Sequence, residues 1–333
     1  MLDEEKLLNV RVTTACAPGG MAHFTAGQTL RWGRCKFSIN PSGEGDWDFW
    51  IVFANAIEIE KANVAPGNTL FIAAEPPAKK TYPRRFYRQF AHVVDTHNGS
   101  RHPNLEVGML GMFWMVGLNW DGMNYEYGYD FLSEMPRPKK QNKVSVVCSS
   151  TAKTEGQKAR LRFLEALKKE LGDDLVHFGK GFELIDDKMD AISPYRFNLV
   201  LENSQSPHYW TEKLTDAYLG WAFPFYVGCP NVDDYFSSES FHAIDMGDAS
   251  RAAKEIRGFL SRPESAEEVE AINEARHRVL NPYNPFSRFD HWVNKFHKDG
   301  KKRYVTIETE KRFRILRGPL RKLFAKKYIK ENR

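Results

Sequence analysis

The sequence predicts an α/β protein made of two Rossmann-like domains that face each other across a cleft. The chain has 333 residues, enough for about two domains that each bury a core of their own. Short apolar segments recur along it, and in the second half they alternate with amphipathic helices, an order typical of parallel sheets covered on both faces. Hydrophobic residues make up 42% of the chain, which excludes a disordered scaffold.

The pattern of strands and helices differs between the two halves of the chain. In the first half, β-branched and aromatic runs predict strands at 10–14, 49–54, 69–73 and 91–94. In the second half, strands are predicted at 144–148, 175–178, 197–201 and 223–227, and helices at 157–171 and 211–220, with Asp248 placed to cap another helix. A polar stretch with two prolines, 134–143, separates the halves. We therefore predict domains at 1–138 and 139–290, followed by a helical, basic tail at 291–333.

Positive charge is concentrated in the C-terminal tail. Residues 301–333 contain thirteen basic and three acidic residues, a net charge of +10, which leaves −5 on the rest of a chain whose total is +5. Its apolar residues at helical spacing are Leu320, Leu323, Phe324 and Tyr328. Such a segment suits an anionic membrane surface, and it equally suits a solvated helix whose apolar side docks on the body. Nucleic acid is not expected as a partner, because the acidic body would repel phosphates and no recognised nucleic-acid motif is present.

Other features of the sequence exclude several classes of protein. The longest uninterrupted run of apolar residues and glycine, 107–118, has twelve residues, whereas a membrane-spanning helix needs about twenty. The first residues are acidic, where a secretory signal would be basic and then apolar. The four cysteines lie far apart without a CxxC pair, which argues against a disulfide framework and a structural zinc site. We expect a cytoplasmic protein, with peripheral contact to the inner face of the membrane if the tail binds lipid.

One segment of the chain has the features of a phosphate-binding site. A buried-type strand ends at Glu202 and Asn203, where parallel α/β sheets place ligand-binding groups. After a loop, Thr211 is placed to cap a helix whose first turn contains Glu212 and Lys213. A helix N-terminus offers free N–H groups and a partial positive charge, which suits a diphosphate, and Lys213 would add a full charge. The alternative is that this first turn is simply solvated.

Several short motifs follow one another in this region. They are Glu202-Asn203-Ser204, Tyr209-Trp210-Thr211-Glu212-Lys213, Gly220 and Pro224-Phe225-Tyr226-Val227-Gly228-Cys229-Pro230. Together they resemble the donor-binding motif of the α-1,3/1,4-fucosyltransferases, glycosyltransferase family 10, and the chain is identified as similar to a bacterial-type member. Weaker similarity places Arg160, or in a second register Arg162, at the family's phosphate-binding arginine. Glu75 follows a strand that resembles the one carrying the family's general base; Glu58 and Glu60 are its substitutes if the register differs.

The resemblance implies a GT-B type glycosyltransferase, in which 1–138 binds the acceptor and 139–290 binds the GDP-sugar donor. The implied reaction is an inverting transfer of fucose from GDP-fucose to O3 or O4 of a GlcNAc-type residue in an oligosaccharide or polysaccharide. Glu75 would be the general base, because the acceptor hydroxyl must lose its proton on the face opposite the leaving GDP. The donor-binding residues implied are Arg160, Asn203, Tyr209, Thr211, Glu212 and Lys213. No cofactor is required, since fixed cations can stabilise the departing diphosphate; a divalent metal is compatible with this chemistry but not demanded by it.

Parts of the sequence are also compatible with two other functions and contain two patterns that resemble metal sites. A transferase of the same fold could use another sugar nucleotide, and a non-catalytic glycan-binding protein at the membrane surface could keep the fold. Asp46-Trp47-Asp48 matches a DxD metal-diphosphate pattern, but its place beside a strand favours a turn. Three histidines, at 92, 97 and 102, recur at a spacing that fits neither a helical pair nor a zinc signature. No metal site is predicted.

Overall fold

The computed structural model describes residues 6–15, 19–77, 79–153 and 155–314. The strands within them are β1 (Leu8–Thr14), β2 (Arg31–Trp32), β3 (Cys35–Ile39), β4 (Phe49–Phe53), β5 (Glu60–Val64), β6 (Thr69–Ile72), β7 (His92–Asp95), β8 (Leu105–Val107), β9 (Leu118–Asn119), β10 (Asn124–Tyr125), β11 (Gln141–Val147), β12 (Leu175–Phe178), β13 (Tyr195–Leu201), β14 (Phe223–Val227), β15 (His242–Ala243) and β16 (Arg303–Ile307). The helices are α1 (Arg84–Tyr87), α2 (Tyr129–Glu134), α3 (Glu155–Leu171), α4 (Lys188–Ile192), α5 (Glu212–Leu219), α6 (Ala249–Leu260), α7 (Ala266–Leu280), α8 (Pro285–Phe296) and α9 (Glu310–Phe313). Over these described ranges, none of the helices has the length and apolar character needed to cross a bilayer.

The first sheet is built from the N-terminal part of the chain. Its strands lie in the order β2-β3-β1-β4-β6-β7-β8, and neighbouring strands are parallel except β2 and β3. The central strand β4 is buried along its whole length, as expected for a strand covered on both faces. The four strands predicted for this half are confirmed, with ends displaced by one or two residues. Strands β2, β3 and β8 of this sheet were not predicted; β2 and β8 have only two and three residues, too few to show a periodicity.

The second sheet is fully parallel, in the order β12-β11-β13-β14-β15. Side chains of β13 alternate between its two faces: Leu199 belongs to the same buried cluster as Leu164 of α3, and Val200 belongs to a different cluster, which includes Leu214 of α5. The predicted strands and helices of this half are confirmed, and α6 begins after Asp248, whose side chain accepts from the backbone N–H of Arg251. Two parallel sheets flanked by helices confirm the predicted α/β class.

The two sheets share a hydrophobic core. One cluster of buried side chains includes Phe24 and Trp114 from the first part of the chain and Trp210 and Tyr218 from the second. The ring centroids of Phe24 and Trp114 are 4.2 Å apart. A shared core holds the carboxyl edges of the two sheets in a defined relation, which matters because candidate site residues come from both.

The described residues after α7 return to the first sheet. The Phe286 and Phe289 rings of α8 lie 5.2 and 6.1 Å from Phe37 of β3. β16 then pairs antiparallel with β5, placing the buried Ile307 opposite Glu60. The predicted division at 290 falls inside α8, and the prediction of a helical tail is wrong for 303–307, which form a strand because Ile307 completes the core over that face. The amphipathic segment predicted around 319–330 lies outside the described residues.

Candidate active site

Hydrogen bonds to a buried carboxylate link the N-terminus of α5 to the end of β13. The two oxygens of Glu202 accept hydrogen bonds from the Thr211 backbone N–H at 2.8 Å and from the Thr211 hydroxyl at 2.6 Å. The Thr211 side chain in turn accepts from the backbone N–H of Lys213 at 3.4 Å, as predicted for an N-cap. The first turn of α5, with Glu212 and Lys213, is therefore held at the carboxyl edge of the second sheet.

Lys213 lies between two carboxylates. Its Nζ is 2.7 Å from Glu212 Oε1 and 3.5 Å from Glu202 Oε2, and it donates to the Thr211 hydroxyl oxygen at 3.1 Å. Burial lowers the pKa of Lys213, but the two carboxylates outweigh burial and leave this pKa above its usual value. Burial would raise the pKa of Glu212, yet Lys213 and Lys188 bring it to about 2. Burial raises the pKa of Glu202. The first turn is an ionic cluster, not a solvated turn.

A second cation stands beside this cluster. Arg160 of α3 donates from Nη1 to the backbone oxygen of Leu201 at 3.3 Å, and its buried Nε has no partner in the part of the chain that the structure describes. Burial raises the pKa of the Cys148 thiol, and the positive charges of Arg160 and Lys213 both oppose that rise. The charges of both cations therefore act on the thiol that follows β11. Arg162, the other candidate on α3, is exposed.

Glu75 of the first sheet lies within electrostatic reach of the second. It follows β6, and its Oε1 accepts a hydrogen bond from Lys79 Nζ at 2.6 Å. Tyr209 is buried shortly before α5; burial raises the pKa of its phenol, and the negative charges of Glu75 and Glu202 raise it further. The charge of the carboxylate predicted as base therefore acts on the tyrosine predicted to contact the donor. Asn203 is exposed on the loop between β13 and α5.

The two other carboxylates that are candidates for the general base lie in different surroundings from Glu75. Glu60 Oε2 accepts from the Arg11 guanidinium at 2.6 Å and from the Thr13 hydroxyl at 2.8 Å, so it is engaged in an ion pair that joins β5 to β1. Glu58 is exposed on the loop between β4 and β5. Of the three, Glu75 is the one whose charge acts on the donor motif.

The residues of the two sequence patterns that resemble metal sites do not form a common site in the structure. Asp48 accepts from a backbone N–H of β1 at 2.9 Å and lies in a bend just before β4, whereas Asp46 forms an isolated bridge with Asn63, so the predicted turn is not formed. The His92 ring stacks on an aromatic ring of α8, with centroids 4.2 Å apart, whereas His102 Nε2 lies 3.0 Å from the backbone oxygen of Phe90. His97 Nε2 is 3.5 Å from a carboxylate oxygen of Asp95. Over the described ranges, no three His, Cys, Asp or Glu side chains are grouped to hold a metal.

The sequence prediction missed an ion pair beneath α5. Asp216 is buried, and its Oδ2 is 2.8 Å from Lys188 Nζ at the start of α4. Its Oδ1 accepts from the backbone N–H groups of Met115 at 2.7 Å and Val116 at 3.3 Å. These hydrogen bonds link α5 to the segment that follows β8, the last strand of the first sheet. Burial raises the pKa of Asp216, and Lys188 opposes that rise. An acidic residue on the apolar face of α5 was the available signal; nothing comparable marks Lys188.

Comparison with known proteins relates the second domain to one family. Residues 138–265 match the family model described as Glycosyltransferase family 10 (fucosyltransferase) C-term. The alpha-(1,3)-fucosyltransferase FucT of Helicobacter pylori is 42% identical over 57 residues, which cover 17% of this chain and 12% of that protein. The 4-galactosyl-N-acetylglucosaminide 3-alpha-L-fucosyltransferase 9 of Bos taurus is 31% identical over 133 residues, which cover 38% of this chain and 35% of that protein.

The chain therefore spans well under half the length of these two curated relatives. A crystal structure of an alpha1,3-fucosyltransferase with GDP aligns with 86% of this chain and 94% of that chain, at a TM-score of 0.45 and 16% identity. The relatives are both bacterial and mammalian, so they do not separate a bacterial from a eukaryotic type. Residues 138–265 are related to the family 10 fucosyltransferases.

Proposed function

We propose that this protein, through the family 10 relationship of residues 138–265, is an inverting glycosyltransferase of the GT-B type that transfers fucose from GDP-fucose to a glycan hydroxyl. The observation that carries the proposal is a pair of half-buried cations inside the segment that matches the family: Lys213 in the capped first turn of α5, and Arg160, which donates to the last residue of β13. The names of the relatives from H. pylori and Bos taurus, both fucosyltransferases, support fucose as the transferred sugar.

The donor diphosphate is proposed to bind between Lys213 and Arg160. Without donor, the Lys213 charge is satisfied by Glu212 and Glu202. On binding, Nζ exchanges a carboxylate oxygen for a phosphate oxygen, and the released Glu212 becomes available to accept hydrogen bonds from the ribose hydroxyls. The unused Nε of Arg160 supplies a further donor. Cations already fixed in place stabilise the negative charge that develops on departing GDP, so the mechanism does not demand a metal. We propose that Tyr209 also contacts the donor.

The base is proposed to be Glu75. An acceptor hydroxyl is a poor nucleophile and must lose its proton as the new bond forms, which a carboxylate can accept. Inversion requires this base on the face of the sugar opposite the leaving GDP. Glu75 follows a strand of the first sheet, and its charge acts on Tyr209 of the donor motif, which supports its assignment to that face. The contact with Lys79, at 2.6 Å, would be exchanged for the acceptor hydroxyl when the acceptor binds.

The acceptor is proposed to be an oligosaccharide or polysaccharide with a GlcNAc-type residue that is modified at O3 or O4. The name of the Bos taurus relative specifies a 4-galactosyl-N-acetylglucosaminide, which supports this class of acceptor. We further propose a bacterial-type enzyme acting in the cytoplasm, in peripheral contact with the inner face of the membrane through the basic tail. The alternatives are a transferase using another sugar nucleotide and a non-catalytic glycan-binding protein.

A donor-by-acceptor screen with purified protein tests the proposal. GDP-fucose, GDP-mannose and UDP-sugars are offered with GlcNAc-containing and GlcNAc-free oligosaccharides, with and without EDTA. We expect transfer from GDP-fucose to the GlcNAc-containing acceptors, retained in EDTA. Transfer from another nucleotide alone would support the first alternative. Glycan binding without turnover of any donor would support the second.

A further inference from the structure

We propose that the flank of the first sheet formed by α1 and α9 is a docking surface for an anionic phospholipid bilayer. The surface consists of six exposed basic residues, which we call the α1–α9 surface: Arg84, Arg85, Arg88, Lys311, Arg312 and Arg314. These residues come from two segments of the chain that are more than two hundred positions apart, so their grouping exists only in the folded protein.

Direct contacts join the two segments. The Phe86 ring of α1 and the Phe313 ring of α9 have centroids 6.1 Å apart. Gln89 Nε2 donates to the backbone oxygen of Glu308 at 3.2 Å, and the Glu308 backbone N–H donates to Gln89 Oε1 at 2.7 Å. Lys80 Nζ lies 3.2 Å from a carboxylate oxygen of Glu310. The basic side chains therefore project from one rigid, interlocked surface.

Most of the positive charge on this surface is uncompensated. Arg312 pairs with Glu308 at 2.7 Å, and Arg314 pairs with Glu310 at 2.8 Å. The other four side chains, Arg84, Arg85, Arg88 and Lys311, have no ion pair with any residue of the described ranges. Six cations and two carboxylates leave +4 here, whereas residues 1–300 as a whole carry −5 although they include three of these arginines. Positive charge is thus concentrated on one flank of an otherwise acidic body.

A bilayer suits this surface better than an anionic polymer does. Each cation near an anionic headgroup layer adds to binding, and the α1–α9 surface presents several without requiring that internal ion pairs be broken. In the sequence, Arg314 is followed at 319–330 by a stretch in which basic residues alternate with apolar ones at helical spacing. A bilayer takes up both charge and apolar side chains, whereas a nucleic acid uses mainly the charge.

Vesicle sedimentation with matched variants tests the proposal. The surface variant is Arg84→Gln/Arg85→Gln/Arg88→Gln, and the control, Lys36→Gln/Arg101→Gln/Lys254→Gln, removes the same charge from exposed positions elsewhere. With vesicles of phosphatidylcholine and phosphatidylserine, each lost arginine should weaken binding about fivefold and the three together about a hundredfold. The control should change little, and vesicles of phosphatidylcholine alone should bind neither.

Other results would overturn the proposal. Equal weakening of vesicle binding by both triple variants would show that only net charge matters. Undiminished vesicle binding by the surface variant would show that the α1–α9 surface does not bind the bilayer. Loss of heparin or RNA binding with vesicle binding unchanged would assign the surface to an anionic polymer instead. Lys311→Gln, on the other segment, should weaken vesicle binding about fivefold by itself and supplies a milder variant if the triple variant is unstable. GDP affinity should be unchanged in every variant, so the result is independent of the donor site.

Discussion

Replacement of Lys213 by methionine is the sharpest test of the donor site. Lys213 Nζ is the cation that contacts Glu212 at 2.7 Å and Glu202 at 3.5 Å, in a region where burial strengthens electrostatic interactions. Methionine keeps an unbranched side chain of similar length, so Lys213→Met removes the charge while preserving the packing of the stem. In the variant, two carboxylates would face the incoming diphosphate without a lysine between them.

The expected loss of GDP affinity follows from these contacts. A hydrogen bond to a charged group contributes about 1.5–3 kcal/mol. Lys213 already makes such a contact with Glu212 before GDP arrives, so part of the gain on binding is an exchange, and we expect a loss of about 2 kcal/mol. That corresponds to roughly thirtyfold weaker GDP binding.

Isothermal titration calorimetry with GDP and with guanosine measures this effect. Because Lys213 is assigned to the phosphates, the variant should bind guanosine as the wild type does. Lys169→Met is the matched control, since Lys169 is exposed on α3 and pairs with Glu165 at 3.0 Å. Unchanged GDP affinity in folded Lys213→Met would refute the assignment. An equal loss for GDP and guanosine would show a distorted pocket instead of a lost phosphate contact.

The same variant has a pH-dependent effect on stability. Lys213 helps to lower the pKa of Glu212 from 4.5 to about 2, and a lowered pKa in the folded state adds stability above pH 4.5 that is lost as the pH falls toward 2. Without Lys213, most of this stabilisation, about 3 kcal/mol at pH 7, should disappear. Urea unfolding at pH 7 and at pH 3.5 should therefore show a smaller difference between variant and wild type at the lower pH. A constant difference would refute this origin of the low pKa.

Three further predictions concern the base, the second cation and the tail. Glu75→Gln should keep GDP affinity and lower the transfer rate by about a hundredfold or more. Normal turnover in this variant, together with loss of turnover in Glu58→Gln, would show that Glu58 is the base. Arg160→Ala should weaken GDP binding by about tenfold and Arg162→Ala should not, as calorimetry would show; the reverse would exchange their roles. Ending the chain after residue 318 should reduce sedimentation with anionic vesicles and preserve transfer to a soluble acceptor; unchanged sedimentation would refute a role for the tail.

Local patterns in the sequence were sufficient to predict the local structure around the first turn of α5. Thr211 is recognisable as an N-cap because the apolar periodicity of α5 begins directly after it, and its hydrogen-bond partner Glu202 is nine residues away. The strand before it is a continuous apolar run, since both of its faces are buried. Where the interacting residues are close in sequence, their spacing alone predicts how they contact each other.

Only the tertiary structure decided which distant residues meet. The electrostatic effect of Glu75 on Tyr209 depends on two sheets sharing one core, and the pairing of Lys188 with Asp216 depends on how α4 packs against α5. The strand at 303–307, which pairs with β5, lies where the sequence predicted part of a helical tail. Such contacts are formed because apolar surface is buried between distant segments, and the period of a single segment shows which face is apolar but not what covers it.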